Sequence, residues 1–221
     1  MSAAEWDLIA LSLRIAFVAV AVSLPFGIGV AYLLAHGRFR GHGALNVLVH
    51  LPLVLPPVVT GYLLLLLFGV QGPLGQILEP LGLGVAFRWT GAALAAAIMG
   101  FPLMVRAIRL GLEAVDPDLE ETAATLGAGR LRVFATVTLP LAGPGILAGT
   151  VLAFAKALGE FGATITFVSN IPGQTQTIPT AIYAALQIPG QEPAAFRLIV
   201  ISILISAAAL VVSELLARRR R

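Results

Sequence analysis

Residues 116–140 read DPDLEETAATLGAGRLRVFATVTLP. Four acids and two arginines stand here, in a chain that is 58% hydrophobic and only 11% charged. Asp116 has the short acceptor side chain of a helix N-cap, and Pro117 carries the fixed φ of a first helical residue. Asp118, Glu120 and Glu121 follow in the first turns, where the helix dipole favours acids. Leu119, Ala123 and Leu126 recur at helical spacing and give one narrow apolar stripe. Gly127 and Gly129 end that helix. A second short helix is expected over RLRVFATVT, with Arg130 and Arg132 at its start and Leu131, Phe134 and Val137 on one side. Pro140 opens the next apolar run. The stretch therefore reads as a helix, a glycine break and a helix, lying between two long apolar segments. Its length, its cap chemistry and the small residues Ala123, Ala124 and Gly127 distinguish it from a plain solvated loop and suit a docking platform for another protein.

The flanking segments settle the class. The chain has 221 residues and a mean hydropathy of +0.96. A water-soluble domain needs much more polar surface, so a membrane protein is expected. A spanning helix takes about 20 mostly apolar residues. Five stretches qualify, at about 8–35, 44–70, 89–113, 140–160 and 196–217. The expected fold is all-α and polytopic, one transmembrane domain over 1–221 with five spans. The segment 116–139 then lies between spans three and four. The first run does not resemble a cleaved signal peptide, because Glu5 and Asp7 precede it and its apolar stretch is too long. Arg14 near its start snorkels outward or faces the bundle. Pro25, Pro52, the pair Pro56–Pro57, Pro102 and Pro144 fall inside four of the five runs. Each removes a backbone donor and bends its helix, which suits a bundle around a pathway.

Basic residues assign the sides. With 116–139 in the cytoplasm, Arg38, Arg40, Arg106, Arg109, Arg130, Arg132 and Arg218 to Arg221 all fall inside, ten of the fourteen basic residues. The positive-inside rule then places the N-terminus outside and the C-terminus inside, as five spans require. The region 161–195 is interrupted by Pro172, Pro179, Pro189 and Pro193, and its longest helical piece, about 180–188, is too short to cross. It is expected to be an external loop with a short helix, able to dip back only where protein or a water-filled cavity satisfies its backbone.

Several functions are excluded. The chain has no cysteine, so thiol, disulfide and Cys-based metal chemistry are out. His36, His42 and His50 read as loop and helix-end residues near a membrane surface, not as metal ligands. Nothing clusters Arg and Lys with aromatics as a nucleic-acid surface would. No nucleophile has a paired base, so no catalytic site is expected. No ring-forming filter motif marks a channel. The phosphate-binding G-x-x-x-x-G-K-[ST] loop is missing, so ATP energy has to come from a separate chain. No cofactor is implied.

Candidate path residues lie near the end of the fourth span. Lys156 and Glu160 are four residues apart within it, and intramembrane charges are functional candidates by default. They can equally neutralise one another as an i,i+4 pair. Thr164, Thr166, Ser169 and Asn170 could donate hydrogen bonds to an oxyanion or cap a turn of the loop.

At 116–140 the sequence also resembles the membrane subunits of bacterial ABC importers, which carry a cytoplasmic motif of the form E-A-A, three residues, G, nine residues, I-x-L-P. Here Glu121-Thr122-Ala123 is followed at that spacing by Gly127, then by Val137-Thr138-Leu139-Pro140. Thr122 and Val137 are mild departures from it. In that family the helix docks in a cleft of the ATP-hydrolysing subunit. The resemblance therefore implies a coupling role for Glu121, Ala123, Gly127, Val137, Leu139 and Pro140. LPLVLPPVVTGYLLLLLFG at 51–69 and ALGEFGATITFVSNIPGQTQTIPTAIY at 157–183 resemble the molybdate importer permeases. GEFGA alone is shared with sulfate permeases. The resemblance covers most of 8–217 and implies a molybdate permease of the inner membrane, with sulfate or tungstate as alternative cargo and a channel or secondary transporter subunit as the remaining rival. It implies no cofactor. As partners it implies two cytoplasmic ABC ATPase subunits, an external molybdate-binding protein, a second copy of the chain and membrane lipid.

Overall fold

The structure is a computed structural model and describes residues 3–37 and 39–218. Arg38 and Arg219 to Arg221, used above to orient the chain, lie outside the described residues. All regular structure among the described residues is helical, in an all-α chain of membrane-spanning type. α1 runs Ala3–His36 and carries Pro25 without breaking. Its 34 residues measure ~51 Å at 1.5 Å per residue, well beyond a bilayer core of ~30 Å, so one end projects past it.

The second apolar run is not one helix. α2 (His42–Val54) and α3 (Pro57–Phe68) meet at 112°. The cause is local. A proline disfavours the helical region for the residue before it. Pro56 thus holds Leu55 extended (ψ 142°), and Pro57 does the same to Pro56 (ψ 132°) before opening α3 as its first residue. A single helical turn, α4 (Gly75–Leu78), follows.

α5 (Trp89–Glu113) is the centre of the molecule. Two apolar cores are strung along it. Toward Trp89, Ala92, Ala96 and Met99 meet Ile15 and Ala19 of α1 and Phe167 further on. Toward Glu113, Met104, Ile108 and Leu112 meet Ala31 and Leu34 of α1, Val49 of α2 and Ala153. The small residues have a purpose. A Cβ built on Gly111 would lie 2.8 Å from the Cα of Gly145, and one on Gly145 would lie 2.6 Å from that of Gly111. Backbones this close gain dispersion along the crossing, which in lipid is a main source of helix association.

α6 (Pro117–Thr125) is followed by α7 (Arg130–Val133), a π-helical turn at Phe134–Thr138 and α8 (Leu139–Leu141). Arg130–Leu141 is one continuous helix that meets α9 (Gly143–Leu158) at 67°. Pro140 has no N–H to give the Thr136 carbonyl, and the turn widens, with the Leu139 N–H reaching Phe134 O. The expected start of this run at Pro140 is thus displaced to the bend at Ala142.

The region 161–195 holds more structure than a loop with one helix. α10 (Gly162–Val168) packs across α3 and α5, α11 (Ile178–Leu186) packs on α12 (Glu192–Arg218), and the Ile178 N–H donates to Ser12 Oγ of α1 at 2.9 Å. Among the described residues, three helices are long and apolar enough to cross a membrane, or up to five if each bent pair counts as one. Phe17, Phe26, Val47, Leu48, Ile203 and Leu204 stand exposed on the outer helix faces. Apolar surface of that extent requires lipid or another chain.

Candidate functional site

The segment 116–141 builds itself from local chemistry. Asp116 Oδ1 accepts from the Asp118 N–H at 3.0 Å, and Pro117 starts α6. At the other end the Gly127 N–H donates to Ala124 O (3.0 Å) and the Ala128 N–H to Ala123 O (3.1 Å). This pair of reversed bonds is the Schellman arrangement, and it needs a left-handed residue between them; Gly127 has φ +86°. A nine-residue helix is marginal without such help. None of its residues is buried. Leu126 (85% exposed) and Leu131 (81%) rank with Val54 as the most exposed large apolar side chains of the described residues, and Leu119 joins them on the surface.

One side of α6 is anchored. Thr138 Oγ1, on a residue only 1% exposed, donates to Glu120 Oε1 in a short hydrogen bond. Phe134 of the π-helical turn lies edge-on to Tyr32 of α1, ring centroids 5.0 Å apart. Glu121 and Arg130, with Tyr32 and Ala124, line a groove of about 280 Å³ beside this anchor. The first turn of α6 is therefore fixed to the π-helical turn that leads into α9, and that segment is itself fixed to the end of α1. Leu119 of α6, Leu126 at its C-cap and Leu131 of α7 are left exposed.

The sequence-expected coupling residues fall in two groups. Glu121 lies exposed on α6, Ala123 half-buried on it, and Gly127 caps it. Val137, Leu139 and Pro140 belong to the wide turn and bend that lead into α9. Glu120 and Thr138 were missed. The only signal for them was the unassigned position between Val137 and Leu139; the contact spans 18 residues, which no local rule registers.

At the other end of α9, Lys156 Nζ donates to Glu160 Oε2 at 2.5 Å, and the Ala163 N–H donates to Glu160 Oε1 at 3.0 Å. Glu160 is buried, with both carboxylate oxygens occupied. It acts as a clip between α9 and the first turn of α10. Thr166 Oγ1 donates to Gly162 O within α10 and Thr164 is buried there. Ser169 ends α10 at φ +65°. Asn170 reaches Thr180 O at 3.5 Å through Nδ2, while its Oδ1 is buried with no partner. A second orphan, Thr60 Oγ1, lies on α3, the helix across which α10 packs. The six candidates thus form a clip and a self-capped turn, with Asn170 and Lys156 keeping spare hydrogen-bonding capacity.

Comparison with known proteins accords with this architecture. Residues 23–221 match the family described as binding-protein-dependent transport system inner membrane component. The molybdenum transport system permease protein ModB of Escherichia coli K12 is 59% identical over 218 residues, 98% of this chain and 95% of that one. ModB of Haemophilus influenzae is 53% identical, covering 97% and 94%. The sulfate transport system permease protein CysT of Salmonella typhimurium is 40% identical, covering 80% of this chain and 64% of its own. Among solved structures, the inward-facing MetNI methionine ABC transporter superposes with a TM-score of 0.79 at 15% identity, covering 100% of both chains. A bacterial ABC transporter importing alginate gives 0.78 at 19%, covering 99% of this chain and 80% of that one. The exposed, anchored helix and the fold around it thus belong together: the chain is a member of the binding-protein-dependent transport system inner membrane component family.

Proposed function

We propose that this chain is the permease of an ATP-driven molybdate importer, with α6 as the element through which ATP binding on a separate chain moves the membrane helices. The observation that carries this reading is a short helix with exposed leucines on it and just beyond it and one side anchored. Leu119, Leu126 and Leu131 offer apolar surface to a partner, and the Glu120–Thr138 bond passes a push on α6 to the base of α9. α9 runs from there to the Lys156–Glu160 clip and α10. Movement of α6 is thereby coupled to the opposite end of the fourth span, as alternating access requires.

Two cytoplasmic ATPases and an external molybdate-binding protein complete the complex, and a second copy of the chain covers part of the apolar surface of α2 and α3. The N-terminus lies outside and the C-terminus in the cytoplasm. Molybdate is preferred over sulfate because identity to the ModB proteins reaches 59% along nearly the whole chain, against 40% over 176 residues for CysT. The test is uptake of radiolabelled molybdate, tungstate and sulfate by vesicles containing the permease with its ATPase and binding protein. Molybdate is expected to accumulate only with ATP and to exceed sulfate. Sulfate preference overturns the cargo, and ATP-independent uptake overturns the coupling.

A further inference from the structure

The outer end of α1 borders a recess of about 560 Å³ whose lining includes Arg14, Arg88, Trp89, Thr90 and Gln174, and no acid. The Arg14 guanidinium lies 3.9 Å from the centroid of the Trp89 ring. Among the described residues no carboxylate pairs with it. Arg88 makes one long contact, 3.5 Å, with Glu79, whose carboxylate packs against Gly84 of the recess wall. Asp7, two turns outward on α1, lines a smaller recess that adjoins this one through Leu11 and Gly173. The recess thus holds one uncompensated guanidinium and one lightly held one.

Two further features point the same way. Thr90 Oγ1 is buried with no hydrogen-bond partner. An orphan hydroxyl of that kind leaves a donor unmet in the first turn of α5. The 25-residue helix α5 also begins here, and Arg88 at its N-cap position gives no side-chain cap. Its free N–H groups and positive dipole end add to the arginines. Stacking on Trp89 leaves the edge of the Arg14 guanidinium, where its donors lie, free to meet an acceptor.

We propose that this recess is a binding site for a tetrahedral oxyanion of the phosphate class, held by Arg14 and Arg88 at the N-terminal end of α5. The arginine forks suit paired oxygens. It is separate from α6 and from the Lys156–Glu160 clip, and depends on neither. Two sources present this chemistry: a free oxyanion outside the membrane, or the phosphate of a lipid headgroup beside α1, whose Phe17 begins the exposed apolar face one turn further along.

Trp89 makes the site directly readable. Trp6 is the only other tryptophan, so Trp6→Phe leaves Trp89 as the sole indole. The full chain in dodecyl maltoside micelles is titrated in one arm with inorganic phosphate and molybdate, and in the other with phosphatidylglycerol. Chloride at matched ionic strength is the control. A saturable change in Trp89 emission is expected in one arm at least, and the arm that saturates identifies the source. Arg14→Gln should remove the response, and Arg88→Gln should weaken binding about tenfold, the loss of one charge-assisted contact. Wild-type-like titration by Arg14→Gln overturns the site. So does a Trp6→Phe protein that answers neither arm, or answers chloride equally, and that result needs no folding of the arginine variants.

Discussion

α6 and α10 are both short helices in the polar, proline-broken parts of an apolar chain, and they are stabilised in opposite ways. α6 buries none of its nine residues and is held by Asp116, by the bonds around Gly127 and by one side chain from Thr138. α10 has seven residues, of which Ala163, Thr164, Phe167 and Val168 are buried, and it rests against the backbone of α3. A helix stabilised by its caps can present its surface to a partner. A helix stabilised by packing can only transmit what its neighbours do. The Lys156–Glu160 clip and α9 connect the two.

The largest effect should come from the α10 side. A Cβ on Gly61 of α3 would lie 2.5 Å from Ala163 O, so Gly61→Val forces the two helices apart and should cost about 3 kcal/mol or more. The expected outcome is a several-fold loss of monodisperse detergent-extracted protein; an unchanged yield and melting temperature would break the packing half of the comparison. Next is the clip. Glu160→Ala strands Lys156 and the Ala163 N–H, and because the Lys156 side chain is 29% exposed the cost should be about 2 kcal/mol, below that of a fully buried pair. Lys156→Met with Glu160→Gln should recover much of the thermal stability. If uptake recovers with it, the pair is structural; if uptake stays lost, Lys156 serves the path.

The α6 side should show small stability effects and large functional ones. Thr138→Val removes the anchor of Glu120 and should cost about 1 kcal/mol, yet ATP-driven uptake should fall while protein levels in the membrane stay normal. Full uptake in this variant would show that force does not pass through the Glu120–Thr138 bond. At Gly127 a Cβ meets no other atom within 4 Å but must adopt φ +86°. Gly127→Ala should therefore cost about 1 kcal/mol and Gly127→Asn less. Gly127→Asp should abolish uptake with the permease still in the membrane, and unaltered uptake at normal expression removes the coupling role. Smallest of all, Asp116→Ala should cost roughly 0.5 kcal/mol, the low end for an exposed cap, read as a minor shift in melting temperature.

Legibility from sequence follows the same division. Asp116, Pro117 and Gly127 act within a turn of themselves, so α6 could be drawn with its correct ends before any fold was known. The break at Pro56–Pro57 was legible as a disturbance but not as a 112° bend, and Pro140 read only as the opening of a run, not as the site of a π-helical turn followed by a 67° bend. The fate of 161–195 was the least legible. Its threonines and prolines look like an external loop, and only the backbone of α3, reached through Gly61, turns Gly162–Val168 into a buried helix.

The sequence by itself determined that this is an all-helical membrane protein with a capped, charged helix between its third and fourth apolar runs. Hydropathy, proline geometry and capping act over a few residues and need no neighbours. Tertiary structure alone decided which of those pieces touch: Glu120 with Thr138, Tyr32 with Phe134, Gly111 with Gly145, and Arg14 with Trp89. These contacts join residues from 18 to 102 positions apart, and they exist because a long central helix, α5, lets α1 and α9 approach it closely enough to bring distant side chains together.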